Sequence, residues 1–398
     1  MTEEVAAAQA ELPQPSIGIV ATLLLRSGLA KNVRQALLHS VLLFWLITCL
    51  PVLLLCQSAG SIFSDSLQVP LLGDYISSAR FIVVAPILIL SDLVTQQWLL
   101  KTVKHFLHDH IAASDLAAYQ KFVVKNFQLR DASIVVLLLL LLAFAYAPVW
   151  IDIVLVVKVS NWQVLTESGQ PVLSLAGKWN AYVSQPLFRF IVLDWLWGYL
   201  LWASLLFRVS RFQLRVSPTH PDCAGGLGFI AIGQSYYGFS AFAMSVGVCT
   251  FVAQAVLETH APLQGFTNLG IVFVILVLLL FLGPLMVFTP LLIKSKREAV
   301  FTYGSLCHQV NSLFATTWLS SPKDREPADS PALISSSEPS TVTDLNASFL
   351  NIQNMKPFVF GKETLVTFIA AVALPAIPLI ATVIPLKELL KELAKALT

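Results

Sequence analysis

Apolar residues along this chain are gathered into long, almost charge-free runs separated by short polar stretches. The clearest, ASIVVLLLLLLAFAYAPVWIDIVLVV from Ala132 to Val157, carries one charge, Asp152. About 18 or more consecutive apolar residues suffice to cross ~30 Å of hydrocarbon as a helix. The pattern predicts spans at Leu37–Cys56, Phe81–Leu99, Ala132–Val157, Leu187–Val209, Phe229–Leu257 and Asn268–Ile293. A seventh segment, Thr364–Pro385, is interrupted by Pro375, Pro378 and Pro385, each of which removes a backbone donor and disfavours straight helix. Its length suits a full span; a re-entrant hairpin turning at LPAIP is the alternative. The predicted fold class is all-α, a polytopic transmembrane helical bundle of six or seven spans.

Between the spans, residues 1–36 read as a cytoplasmic N-terminal segment and 37–293 as the six-helix bundle, with an amphipathic insertion at 100–131 lying on the membrane surface. Residues 294–319 read as a cytoplasmic helix, and 320–346, rich in Ser, Pro and acids without apolar periodicity, as a disordered linker. Residues 347–398 hold the proline-broken segment and the basic amphipathic helix LKELLKELAKALT. Lys and Arg cluster before span one and after spans two, four and six, so the positive-inside rule predicts a cytoplasmic N-terminus. The opening MTEEVAAAQAELPQP is acidic where a cleavable signal peptide would be basic, so none is predicted. No internal repeat is evident, and the two-halves symmetry of many transporters is not expected.

Composition agrees with a lipid-facing chain. Hydrophobic residues make up 56% and charged residues 12%, where a soluble domain carries about 25% charged. A net charge of +2 with no basic tract excludes a nucleic-acid partner. The expected partners are the lipid bilayer and a second copy or another membrane protein. Cys49, Cys56, Cys223, Cys249 and Cys307 form no CxxC pair and predict no disulfide framework. No pattern specifies a cofactor.

Four constellations could carry chemistry. Asp92 and Asp194 fall inside spans two and four, where a charge costs ~2.5–3.5 kcal/mol on insertion scales and so points to function. Gln96 and Gln234 add polar groups to that path, and Arg189 lies one turn from its outer end; the structural alternative is helix-to-helix hydrogen bonding. The loop SPTHPDCAGGLGFI offers His220, Asp222 and Cys223 as ligand-capable side chains, with Gly225 and Gly226 permitting tight turns. It reads as a metal or anionic-headgroup site, or as a rigid turn whose Asp222 or His220 caps the next helix. His105, His108 and Asp109 in KHFLHDHI share a helix face but lack a fourth metal ligand. The amphipathic stretch after span six reads as packing rather than a partner site.

The PTHPDCAGGLGF loop and the ending PFVFGKETLVTFIAAVALPAIPLIATVIPLKELLKEL resemble signature stretches of a family of bacterial multi-pass inner-membrane proteins with no assigned activity. The resemblance implies the same topology and singles out His220, Asp222, Gly225 and Gly226; it implies no function.

Three functional classes are therefore expected, in this order. The first is transport or channel-like handling of a small solute or ion through Asp92 and Asp194. The second is a membrane-embedded enzyme on a lipid-linked or anionic substrate, using the His220–Gly228 loop. The third is a non-catalytic sensor or assembly subunit.

Overall fold

The computed structural model describes residues 18–64, 67–130, 132–156, 160–167, 170–259, 262–318 and 338–381. Seven helical stretches within them are long and apolar enough to cross a membrane: Val33–Ser58, Tyr75–His110, Ser133–Val156, Leu175–Val209, Gly228–Glu258, Leu263–Thr316 and Lys362–Ile380. The chain is an all-α, multi-pass integral membrane protein. Its outer faces are apolar; Leu137, Leu138, Leu141 and Leu142 of span three are all exposed, as a bilayer surrounding them requires. Polar residues turn inward instead. Ser40, Thr48 and Thr95 are buried, and each donates its hydroxyl to a carbonyl one turn back on its own helix, since lipid offers no other acceptor.

Spans one to four run twice through one order of elements. Helix α1 (Ile19–Arg26) leads into α2 (Val33–Ser58). A five-residue helix, Tyr75–Ala79, and a π turn, Arg80–Val84, then lead into α3 (Ala85–His105). The order recurs downstream. Helix α4 (Leu116–Arg130) leads into α5 (Ser133–Ala145) and α6 (Ala147–Val156), which together make span three. Leu175–Trp179 and the π turn Asn180–Ser184 then lead into α7 (Gln185–Val209). The correspondence extends to a cap and a proline. Asp74 accepts from the Ser77 N–H at the first short helix, and Ser174 accepts from the Gly177 N–H at the second. Pro86 and Pro186 both sit at the start of the long helix. A proline cannot donate to the carbonyl four residues before it, and a preceding π turn absorbs that missing bond.

One end of the bundle carries the connection between spans three and four, a two-stranded antiparallel ribbon of β1 (Val164–Glu167) and β2 (Gln170–Leu173) with Val164 opposite Leu173. Trp162 donates its Nε1–H to Asp74 there, tying the two units together. The opposite end, the loop end, carries the start of α4, the 210–227 loop and the 355–361 connection. Span five is α8 (Gly228–Ser235) and α9 (Gly238–Thr259). Span six comprises α10 (Thr267–Leu282), a 3-10 turn at Gly283–Phe288 and α11 (Thr289–Trp318), which continues past the bundle. Helix α12 (Glu338–Asn354) folds back along α11, and α13 (Lys362–Ala381) packs on α9, where Ser245 Oγ donates to the Val372 carbonyl at 2.7 Å. The largest core cluster lies near the loop end and includes Phe106, Tyr119, Leu205, Phe281, Phe288 and Phe368.

Several sequence expectations meet a different structure. Helix α4 does not lie wholly on the surface: Tyr119, Val123, Asn126, Phe127 and Arg130 form a buried stripe against α7. The described part of the expected linker, 338–346, is helical, because Val342, Leu345, Phe349 and Ile352 recur at helical spacing and face α11. The repeated order of elements in spans one to four departs from the expectation of no internal repeat. Helix α13 runs through Pro375 and Pro378; Pro385 and the segment LKELLKELAKALT, expected as an amphipathic helix, lie outside the described residues.

Candidate functional site

The two intramembrane aspartates meet across the tandem units, with Asp92 on α3 and Asp194 on α7, and a third charge joins them. Arg130, the last residue of α4, is 8% exposed. Its guanidinium grips Asp194 in a fork, with Nη1 to Oδ1 at 2.7 Å and Nη2 to Oδ2 at 3.0 Å; Nη1 also donates to the Asp194 carbonyl at 2.9 Å. Nη2 lies 3.6 Å from Asp92 Oδ2. Fork geometry is the strong form of a charged hydrogen bond and fixes both partners. Gly198 makes room, since a Cβ there would stand 3.3 Å from the Arg130 Cζ. With all three groups ionised the trio carries one net negative charge; with one carboxyl protonated it is neutral.

The amino end of α1 also reaches the trio. Its N-cap, Gly18, has φ +84°, and a Cβ there would lie 3.7 Å from Asp92 Oδ2 and 3.8 Å from Asp194 Oδ2. The positive end of the α1 dipole thus lies beside two carboxylates, a favourable arrangement. Two cavities meet at Asp92 and Trp195. The first, of about 130 Å³, extends along Leu88–Asp92 of α3 and Leu187–Trp195 of α7 and is closed on one side by Gly18–Ala21. The second, of about 30 Å³, continues toward the loop end past Thr95, Gln96, Asn126 and Tyr237. The second is lined by polar groups and is large enough for water; the Gln96 Oε1 at its wall is buried with no protein donor among the described residues.

The other candidates of that path are placed apart. Gln234 is fully buried and clamps three helices: Trp202 Nε1 donates to its Oε1 at 2.7 Å, and its Nε2 donates to the Phe281 carbonyl at 2.6 Å. Arg189 points away from the aspartates, its Cζ 4.8 Å from the Tyr146 ring centre. Arg130, Thr95 and Asn126 are missing from the sequence candidates. Arg130 counts there among the basic residues of a cytoplasmic connection; the signal that could have found it is the stripe Tyr119, Val123, Asn126, Phe127, Arg130, which places an arginine on a buried helix face.

In the 217–228 loop, Asp222 binds its own backbone. Its carboxylate accepts from the N–H groups of Ala224 (2.8 Å), Gly226 (3.1 Å) and Gly228 (2.9 Å), and His220 Nδ1 lies 2.9 Å from Oδ1. Gly225 and Gly226, at φ +68° and +90°, make the nest, and Cys223 joins them at φ +53°, a region side chains other than glycine rarely adopt. The loop is anchored by Asn351 Nδ2 to the Thr219 carbonyl and by the Lys356 N–H to the Cys223 carbonyl. Burial alone would raise the Asp222 carboxyl, but the N–H groups and the His220 ring together hold it below the usual carboxylate range. A depressed folded pKa contributes stability that is complete above the unfolded value, ~3.9, and is lost as pH falls through the lower folded one. Asp222→Asn should therefore cost about 2 kcal/mol at neutral pH and flatten the acid side of a stability–pH curve; an unchanged curve would contradict this role.

At the start of the loop end, Asp109 bridges His105 and His108, each Nδ1 at 2.8 Å from it, while His110 turns inward, its Nδ1 3.0 Å from the Arg215 carbonyl. Among the described residues, no three His, Cys, Asp or Glu side chains gather as a metal-holding group. Compared with protein-family models, with curated proteins and with solved structures, the chain matches none.

Proposed function

We propose that this protein conducts or transports a small cation, a proton in the simplest case, along the line of cavities that passes Asp92, Arg130 and Asp194. The observation supporting this most is the trio itself: two carboxylates on equivalent spans share one guanidinium between two cavities in the middle of the bundle. Charges within a membrane are costly, and their burial against a polar space is the usual mark of an ion or proton path. A trio that is either neutral or singly negative can take up and release one positive charge without a second counter-ion. The positive-inside rule supports a loop end in the cytoplasm, and the resemblance of the PTHPDCAGGLGF loop supports a bacterial inner membrane. An enzyme at the His220–Gly228 loop has less support, because the Asp222 carboxylate already accepts three backbone N–H groups.

The test is flux in liposomes holding the purified protein and either a pH-sensitive or a sodium- or potassium-sensitive dye. An imposed gradient should collapse faster with wild type than in empty vesicles. Asp92→Asn and Asp194→Asn should abolish that difference while eluting as folded protein. Wild-type vesicles as tight as empty ones to all three ions would overturn the proposal.

A further inference from the structure

A second cluster of charge lies at the ribbon end, away from the trio. Arg80 opens the π turn before α3, and Arg189 sits one turn into α7. Both guanidiniums face one indole: Arg80 Cζ is 5.5 Å and Arg189 Cζ 5.7 Å from the Trp150 ring centre, and Arg189 also lies over Tyr146. One arginine on an aromatic ring is a favourable pair. Two on the same ring repel each other, and among the described residues no carboxylate lies within ion-pair distance of either. The acid whose charge bears on Arg80 is Asp74, and its carboxylate already accepts from the Ser77 N–H, the Ser77 hydroxyl and the Trp162 indole.

The same place is short of acceptors. Arg189 Nη1 makes one long bond, 3.4 Å, to the Ala143 carbonyl. Among the described residues, Arg189 Nη2 and Trp150 Nε1 are both buried donors without a protein acceptor. One turn before Arg189 on the same helix, Gln185 is 2% exposed and its Nε2 also finds no acceptor among the described residues. Buried donors left unpaired carry a desolvation cost, which an incoming acceptor removes. The cluster borders the exposed Tyr146 and Val149 and so opens sideways to lipid.

We propose that Arg80, Arg189 and Trp150 form a binding site for a phosphate-type anion, presented either by a phospholipid headgroup or as free phosphate. One anionic oxygen would accept from Arg189 Nη2 and Trp150 Nε1, while Arg80 supplies the second positive charge. Arginine suits this ligand because its planar fork matches two phosphate oxygens. The site is independent of the trio, so either can fail alone.

The experiment is a thermal-unfolding series on the full chain in neutral detergent, titrated with phosphatidylglycerol in one arm and inorganic phosphate in the other. A ligand that binds the folded state raises the melting temperature by mass action. Wild type should shift upward by several degrees, and Arg189→Gln and Arg80→Gln should bind about tenfold more weakly. Trp150→Phe keeps the ring and removes only Nε1; it should melt like wild type without ligand and still show a smaller shift. A shift with the lipid alone assigns a headgroup site, and a shift with phosphate as well assigns a free-anion site. No shift in wild type, or equal shifts in wild type and both arginine variants, would overturn the proposal.

Discussion

Replacing Arg130 with methionine is expected to destabilise the protein by about 3–5 kcal/mol, because two buried carboxylates are left without their shared partner. Asp92→Asn alone should cost much less, since it leaves the fork between Arg130 and Asp194 in place. The informative variant is the triple replacement Asp92→Asn, Asp194→Asn, Arg130→Met. Removing a buried ionic group whole is often neutral or stabilising, so the triple variant should recover most of the stability lost by Arg130→Met. It should nonetheless conduct nothing. Chemical denaturation in detergent checks the first half and vesicle flux the second. A triple variant as unstable as Arg130→Met would mean the trio is held by packing rather than by charge balance.

The second large effect is expected at the ribbon end. A Cβ on Gly177 would lie 2.2 Å from the Gln163 carbonyl oxygen, 2.9 Å from its carbon and 3.0 Å from its Cα. These are backbone atoms, and they are fixed: the Gln163 carbonyl accepts from the Ser174 N–H, and the Gln163 side chain accepts from Asn180 Nδ2. No rotamer change can relieve the overlap. Gly177→Ala should therefore cost about 3 kcal/mol, the upper end for an overpacked core. Gly270 on α10 has nothing within 4 Å of the same construction, and Gly270→Ala should change stability by less than ~1 kcal/mol. Equal melting of the two variants would contradict the contact.

The spans were legible because lipid demands long apolar helices, and that demand is written in composition. Asp92 and Asp194 were legible as anomalies within those runs. Their partner was not. By composition Arg130 belongs to a polar connection, and only the docking of α4 on α7 carries it into the bundle. The repeated order of elements was hidden for a related reason. What the two runs share is a cap, Asp74 or Ser174, and a proline, Pro86 or Pro186, while lipid-facing positions are free to vary among apolar residues. The π turns left no mark beyond those prolines, and the role of Asp222 needed coordinates because its partners are backbone N–H groups that every sequence contains.

The order of the three charges along the chain has a bearing on how the protein is made. A ribosome delivers Asp92 first, Arg130 next and Asp194 last. The first acid therefore has its counter-charge available before the second acid is synthesised. When span four enters the membrane, its aspartate can join an arginine already at hand, and no stage of synthesis requires two uncompensated carboxylates in the bilayer.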